Sequence, residues 1–87
     1  MENTAPAITL YSKPACVQCT MTKKALDKAG LAYEEVDLTQ NPAALEFVTE
    51  DLGYSQAPIV QIDDESHWSG FRPDLIARAA SALDATV

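Results

Sequence analysis

The chain has 87 residues and a net charge of −7, from 6 Lys and Arg against 13 Asp and Glu. This length predicts a single domain over residues 1–87. The acidic balance argues against a nucleic-acid binder, because neutralising phosphates requires Lys and Arg. No stretch approaches the roughly 20 apolar residues that span a bilayer. The first residues contain neither the basic n-region nor the apolar h-region of a secretory signal peptide. We therefore expect a cytoplasmic protein that contacts neither nucleic acid nor membrane.

Hydrophobic periodicity and turn residues predict seven elements. In chain order they are a strand at 7–11, a helix from about 16 to 29, a strand at 32–38, a helix from 42 to about 52, strands at 59–62 and 66–69, and a helix from 73 to about 83. The first three should form a right-handed parallel unit, and the last two strands an antiparallel hairpin. The order βαβαββα therefore predicts an α/β fold with a four-stranded mixed sheet flanked by three helices.

The same patterns predict which faces are buried. In the first helix, the apolar residues that fall on one face are Val17, Met21, Ala25, Leu26 and Ala29. We expect Met21, on this face, to pack in the core. Two adjacent acids in the strand at 32–38 indicate an edge strand. The apolar stripe of the last helix comprises Leu75, Ile76, Ala79, Ala80 and Leu83.

Cys16 and Cys19 are the only cysteines, and they lie three positions apart where the first strand gives way to the first helix. A structural zinc site needs four ligands, and His67 is the one further soft candidate, so redox chemistry is favoured. Free N–H groups and the positive end of the helix dipole lower the pKa of a thiol there. Cys16 should therefore be the exposed nucleophile and Cys19 the shielded resolving thiol.

Positive charge is concentrated around the cysteines. Residues 11–30 hold Lys13, Lys23, Lys24 and Lys28 against Asp27 alone, an excess of +3 that leaves −10 for the rest of the chain. Either a solvated helix face or a surface for partner docking and thiolate stabilisation accounts for this pattern. Lys13, three residues before Cys16, is either thiolate support or an ordinary surface lysine.

Two further segments are candidates for partner contact. Ala57-Pro58 precedes a buried strand and is either a rigid turn or a cis bond that presents the Ala57 backbone to a partner peptide. The segment from Trp68 to Asp74 combines aromatics with Arg72, residue types favoured at interfaces. Within it we expect Trp68 to pack and Phe71 to be exposed. His67 is more simply a half-exposed strand residue than a catalytic base.

Three motifs together resemble the NrdH-redoxins: Cys16-Val17-Gln18-Cys19, Ser55-Gln56-Ala57-Pro58 and Trp68-Ser69-Gly70-Phe71-Arg72-Pro73-Asp74. The resemblance covers about residues 7–83. It implies a thioredoxin fold with a glutaredoxin-like sequence but thioredoxin-like behaviour. Members of this family take electrons from NADPH through thioredoxin reductase and donate them to class Ib ribonucleotide reductase. The resemblance thus implies a redox carrier with protein-disulfide reductase activity.

The resemblance also implies roles for individual residues. Cys16 becomes the nucleophile, Cys19 the resolver and Pro58 a cis-proline. The expected partner-binding residues are Val17, Gln18, Ala57, Pro58, Gly70 and Phe71. A hydrogen-bonded network bridging the last strand and helix is expected from Trp68, Ser69, Arg72 and Asp74. Lys13 matches a lysine that helps to bind glutathione in glutaredoxins.

The implied partners are thioredoxin reductase and the large subunit of the class Ib reductase. We expect a monomer with no cofactor or metal beyond the redox-active Cys16–Cys19 disulfide. Two alternatives stay open. One is a glutathione-dependent glutaredoxin or general protein disulfide reductase, and the other is an adaptor that uses the cysteines to hold zinc or a cluster.

Overall fold

The computed structural model describes residues 8–63 and 65–84. Its elements are β1 (Ile8–Ser12), α1 (Val17–Lys28), β2 (Tyr33–Asp37), α2 (Pro42–Glu46) continued by a π-helical turn (Phe47–Asp51), β3 (Ile59–Gln61), β4 (His67–Ser69) and α3 (Pro73–Asp84). The predicted order of elements is therefore confirmed. The proposed strand residue Ala7, the turn residue Asp64, the side chain of Leu83 and the start of the chain lie outside the described residues.

The four strands form one mixed sheet in the order β2-β1-β3-β4. β1 runs parallel to β2, with Ile8 opposite Tyr33, and antiparallel to β3. β3 and β4 pair as the predicted hairpin, with Val60 opposite Trp68. The predicted fold class and the edge position of β2 are both confirmed.

Hydrophobic residues alternate between the two faces of the sheet, as the strand period of two requires. On one face, the side chains of Ile8, Leu10, Val60 and Trp68 pack with α1 and α3. On the other face, Tyr11 and Ile59 pack with Val48 of the π-helical turn. The sheet is thus covered on both sides, and the carboxyl end of β1 leads directly into α1.

The buried face of α1 differs from the predicted one. Met21 is 42% exposed, so the prediction that it packs in the core is wrong, and Val17 on the same helix face is 74% exposed. The buried residues of the helix are Cys19, Thr22 and Leu26, which also recur at helical spacing. The prediction, which used only the large apolar residues and alanines, did not include Cys19 and Thr22. Their small side chains occupy the positions that face the sheet.

The second predicted helix has the expected extent but a mixed geometry. Asn41 caps it, accepting the Ala44 N–H at Oδ1 over 3.0 Å, and Pro42 occupies the first helical position. The chain then widens into the π-helical turn, where the Leu52 N–H donates to the Phe47 carbonyl over 3.1 Å. This turn buries Val48 and brings the ring of Phe47 to 6.1 Å from that of Tyr11.

Among the described residues, no helix is both long enough and apolar enough to cross a bilayer.

The orientation of α1 predicts unequal effects of two substitutions. Leu26→Ala should lower the free energy of unfolding by about 3 kcal/mol, because Leu26 is 0% exposed and its truncation leaves a cavity. Met21→Ala should change it by less than about 0.5 kcal/mol, since that side chain is exposed. Urea unfolding of the oxidised variants measures both. Equal losses would show that Met21 belongs to the core after all.

Candidate active site

A disulfide joins Cys16 and Cys19 at the N-terminus of α1. β1 ends at Ser12, the chain passes through residues 13–15, and Cys16 takes the N-cap position of the helix. Cys16 is partly exposed, whereas Cys19 is only 2% exposed. This confirms the predicted order of exposure. A partner can therefore reach the sulfur of Cys16 more readily than that of Cys19.

Cys16 caps the helix with its sulfur. Its backbone is extended, with φ −118° and ψ 107°, and its Sγ accepts the Cys19 N–H over 3.1 Å. An N-cap oxygen of Ser or Asp normally occupies this position and satisfies one of the unpaired N–H groups. The first turn of α1 carries no acidic residue. In the reduced protein, the hydrogen bond and the helix dipole would therefore favour a thiolate at Cys16.

Ala15 has an unusual backbone conformation directly before the cap. Its φ is 55°, in the left-handed region that a residue with a Cβ enters at a cost of about 1–2 kcal/mol. This left-handed residue redirects the chain from the end of β1 into the extended backbone of Cys16. Nothing in the sequence signals it, because alanine ordinarily prefers right-handed backbone. Such outliers persist where the surrounding structure imposes them.

The loop before β3 forms the opposite wall of the site. The Ala57–Pro58 bond is cis, the alternative that the resemblance implied. The Gly70 N–H donates to the Pro58 carbonyl over 2.8 Å, and Ser69 Oγ donates to the Gln56 carbonyl over 2.8 Å. These two hydrogen bonds hold the loop against the end of β4.

A cleft of about 360 Å³ lies between this loop and Cys16. It is lined by Cys16 together with Lys13, Val17, Gln18, Ser55, Gln56 and Ala57. Four predicted site residues besides Cys16 therefore share one cleft. The side chain of Pro58 is fully buried, and its carbonyl accepts the Gly70 N–H. The expected contact of this residue with a partner stays a prediction.

Gln18 ties the start of α1 to the loop after β4. Its Oε1 accepts the Phe71 N–H over 3.0 Å. Gly70 has a φ of +91°, and a Cβ there would lie 3.6 Å from the same oxygen. Gln18, expected to face a partner, thus also has an internal role that sequence reasoning missed, because its contact lies 53 positions away.

The segment from Trp68 to Asp74 does not form the single expected network. Arg72 pairs with Asp74 through two hydrogen bonds of 3.2 and 3.0 Å, both side chains being exposed. The Arg72 guanidinium holds the pKa of Asp74 below its ordinary value. Trp68 is buried as predicted, but its Nε1 has no acceptor among the described residues. The indole packs in the core without a hydrogen bond, and Arg72 pairs with its near neighbour Asp74, so neither side chain makes a hydrogen bond between β4 and α3 within the described residues.

Phe71 is half-buried and packs against the core cluster beneath α1 and α3. The prediction that it is exposed is therefore wrong in part. Its N–H donates to Gln18 Oε1, so this residue is tied to the start of α1 as well as to the core.

His67 has a structural contact. Its Nδ1 lies 2.8 Å from the hydroxyl of Tyr54, which also donates to the His67 carbonyl over 3.2 Å. This links β4 to the chain that follows the π-helical turn. It agrees with the interpretation of His67 as a half-exposed strand residue rather than a catalytic base. Within residues 8–63 and 65–84, no three His, Cys, Asp or Glu side chains are grouped to hold a metal ion.

The glutaredoxin family model matches residues 8–68. The chain therefore belongs to the glutaredoxin family. Among its relatives in this family, the glutaredoxin-like protein NrdH of Lactococcus lactis subsp. lactis is 40% identical over 73 residues, 84% of this chain and 99% of the relative. The NrdH protein of Escherichia coli K12 is 42% identical over 71 residues, 82% and 85% of the two chains.

A solved structure agrees with these relationships. The NrdH-redoxin from Escherichia coli, described as a glutaredoxin-like protein with a thioredoxin-like activity profile, superposes with a TM-score of 0.75 at 39% identity. The match covers 82% of this chain and 91% of that one. This glutaredoxin is thus an NrdH-type oxidoreductase with a Cys16–Cys19 disulfide, as its motifs implied.

Because the first turn of α1 carries no acidic residue, a negative charge introduced at Gln18 should change the pKa of the Cys16 thiol. In Gln18→Glu, a carboxylate oxygen still accepts the Phe71 N–H, but its charge disfavours the thiolate. We expect the pKa of the Cys16 thiol to rise by about half a unit to one unit. Thiolate absorbance of the reduced protein as a function of pH measures it. The exposed control Arg78→Glu should leave that pKa unchanged, and an equal rise in both variants would contradict the local explanation.

Proposed function

We propose that this NrdH-type protein carries electrons from thioredoxin reductase to the large subunit of a class Ib ribonucleotide reductase. The observation that supports this most strongly is the Cys16–Cys19 disulfide at the helix cap, in a chain 40% identical to an NrdH protein over 99% of that relative. We further propose that the protein acts as a monomer in the cytoplasm, with no cofactor other than its disulfide.

The exchange proceeds in two steps. The Cys16 thiolate attacks one sulfur of the client disulfide, which forms a mixed disulfide and leaves the other client sulfur to take a proton. Cys19 then loses its proton and attacks the Cys16 sulfur, which releases the second client sulfur as a thiol. Two electrons and two protons pass to the client, and the Cys16–Cys19 disulfide re-forms. NADPH supplies two electrons through the reductase to restore the dithiol.

The cleft supplies the contacts for the client. Val17, Gln18 and Ala57 line it beside Cys16, and Gly70 and Phe71 adjoin it through Gln18. In our proposal, the backbone of Ala57 pairs with the client peptide as an added strand. Lys13 supports the thiolate from the exposed rim of the same cleft.

Lys13 also favours a second candidate function. A lysine that lines the cleft of the reactive cysteine is the feature that this chain shares with glutathione-dependent glutaredoxins. In that case glutathione, rather than a reductase, would return the electrons. The description of the Escherichia coli NrdH-redoxin as thioredoxin-like in activity makes this the weaker of the two.

A comparison of reductants distinguishes the two functions. We expect NADPH with thioredoxin reductase to reduce the Cys16–Cys19 disulfide rapidly, and NADPH with glutathione and glutathione reductase to reduce it poorly. NADPH oxidation at equal protein concentration measures both rates. Rapid turnover with glutathione and negligible turnover with thioredoxin reductase would refute the proposal.

The two cysteine roles predict different trapping behaviour. Cys19→Ser should retain a client as a stable mixed disulfide, because Cys16 attacks but no resolving thiol remains. Cys16→Ser should trap nothing, since its remaining thiol is 2% exposed in the native protein. Non-reducing electrophoresis after incubation with the oxidised large subunit measures the adduct. Equal trapping by the two variants would mean that the roles are wrongly assigned.

A further inference from the structure

Four exposed residues of α1 fall on one line along the helix. Val17, Met21, Lys24 and Lys28 are separated by four, three and four positions, which places them on one face. This face is opposite Cys19, Thr22 and Leu26, the residues that anchor the helix to the sheet. We call these four residues the α1 stripe. It begins beside the reactive Cys16 and points to solvent over its whole length.

The α1 stripe has an apolar end and a cationic end. Val17 and Met21 are two of the exposed large hydrophobic residues of the described chain, and Val17 lines the cleft together with Cys16. Lys24 and Lys28 follow, and neither has a carboxylate partner among the described residues. Lys23, by contrast, lies off the stripe with its Nζ 3.1 Å from Glu35 Oε2.

The charge of the α1 stripe opposes that of the whole protein. The chain carries −7, so its overall field repels an acidic partner. The two lysines, roughly one and a half to three turns along α1 from the redox site, reverse this locally, within about the Debye length of their own charges. An acidic client is therefore attracted when its carboxylates lie along α1.

The dimensions of the helix define where the acidic groups of such a client must lie. At 1.5 Å per residue, Lys24 is about 10 Å and Lys28 about 16 Å along the axis from Val17. An extended peptide covers about 3.3 Å per residue. Acidic residues roughly three and five positions from the client cysteine would therefore meet the two lysines.

We propose that the α1 stripe is the docking surface for protein clients with carboxylates close to their disulfide. Val17 and Met21 contact an apolar side chain next to the client cysteine, and Lys24 and Lys28 bind the acidic residues beyond it. This rests on the proposed function only in that the client is a protein disulfide. It requires neither a particular electron source nor ribonucleotide reductase.

Synthetic peptides test the proposal directly. Each carries an intrachain Cys-x-x-Cys disulfide, with two Glu or two Gln placed three and five positions beyond the cysteines, on either the N-terminal or the C-terminal side. The chemically reduced protein is mixed with each peptide, and the rate of disulfide exchange is measured. In at least one direction, the Glu peptide should react roughly three- to tenfold faster than its Gln counterpart at low salt. The net charge alone predicts the opposite order.

Two variants with the same change of net charge provide the control. Lys24→Gln/Lys28→Gln and Arg78→Glu each lower the net charge by two, but exposed Arg78 lies on α3. The first variant should lose the preference for the Glu peptide, and the second should keep it. Raising the ionic strength from 0.01 M to 1 M, which shortens the screening length from about 30 Å to about 3 Å, should abolish the preference in the native protein.

Each contrary result has a distinct meaning. Equal or slower reaction of the Glu peptides, or the same loss in both variants, would overturn the docking proposal and leave the proposed function intact. Failure to reduce any of the peptides would overturn the exchange mechanism and the docking proposal together. Failure of thioredoxin reductase to reduce the protein would overturn only the proposed electron source.

Discussion

The hydrogen bond from the Cys19 N–H to the Cys16 sulfur is the interaction on which the site depends. It places a reactive sulfur where a helix ordinarily holds a capping oxygen, so helix formation and thiolate stabilisation become one structural requirement. The left-handed Ala15 directs the chain into that position. Any change that moves the first turn of α1 therefore alters both the stability of the helix and the chemistry of the cysteine.

The rotation of α1 about its axis determines what a partner meets. Leu26 and Thr22 fix the helix against the sheet, and this forces Cys19 inward and the α1 stripe outward. Ser12, at the end of β1, donates to Glu35 over 2.7 Å, and Glu35 also pairs with Lys23. These contacts lower the pKa of Glu35, the hydrogen bond from Ser12 having the largest effect. The same carboxylate thus connects α1, β1 and the edge strand β2 and helps to hold the helix in this rotation.

Local patterns in the sequence predicted the order of elements, the hairpin, the edge strand and the relative exposure of the two cysteines. They failed where small or polar residues fill buried positions that larger apolar residues usually occupy, as Cys19 and Thr22 do on α1. They also failed for contacts between distant positions, such as Gln18 with Phe71, and for the left-handed Ala15. The expected network around Arg72 failed for another reason: Arg72 and Asp74 lie two residues apart at the start of a helix, and their local pairing leaves neither free to reach β4.

The burial of Trp68 has a practical consequence. It is the one tryptophan of the chain, 8% exposed and packed among Leu10, Val60 and Ile76 of the core, with no acceptor for its indole N–H among the described residues. An indole in such apolar surroundings emits at shorter wavelength than one in water. The protein therefore contains its own fluorescent reporter on the face of the sheet that α1 and α3 cover. Loss of either helix from that face would appear as a red shift without any added label.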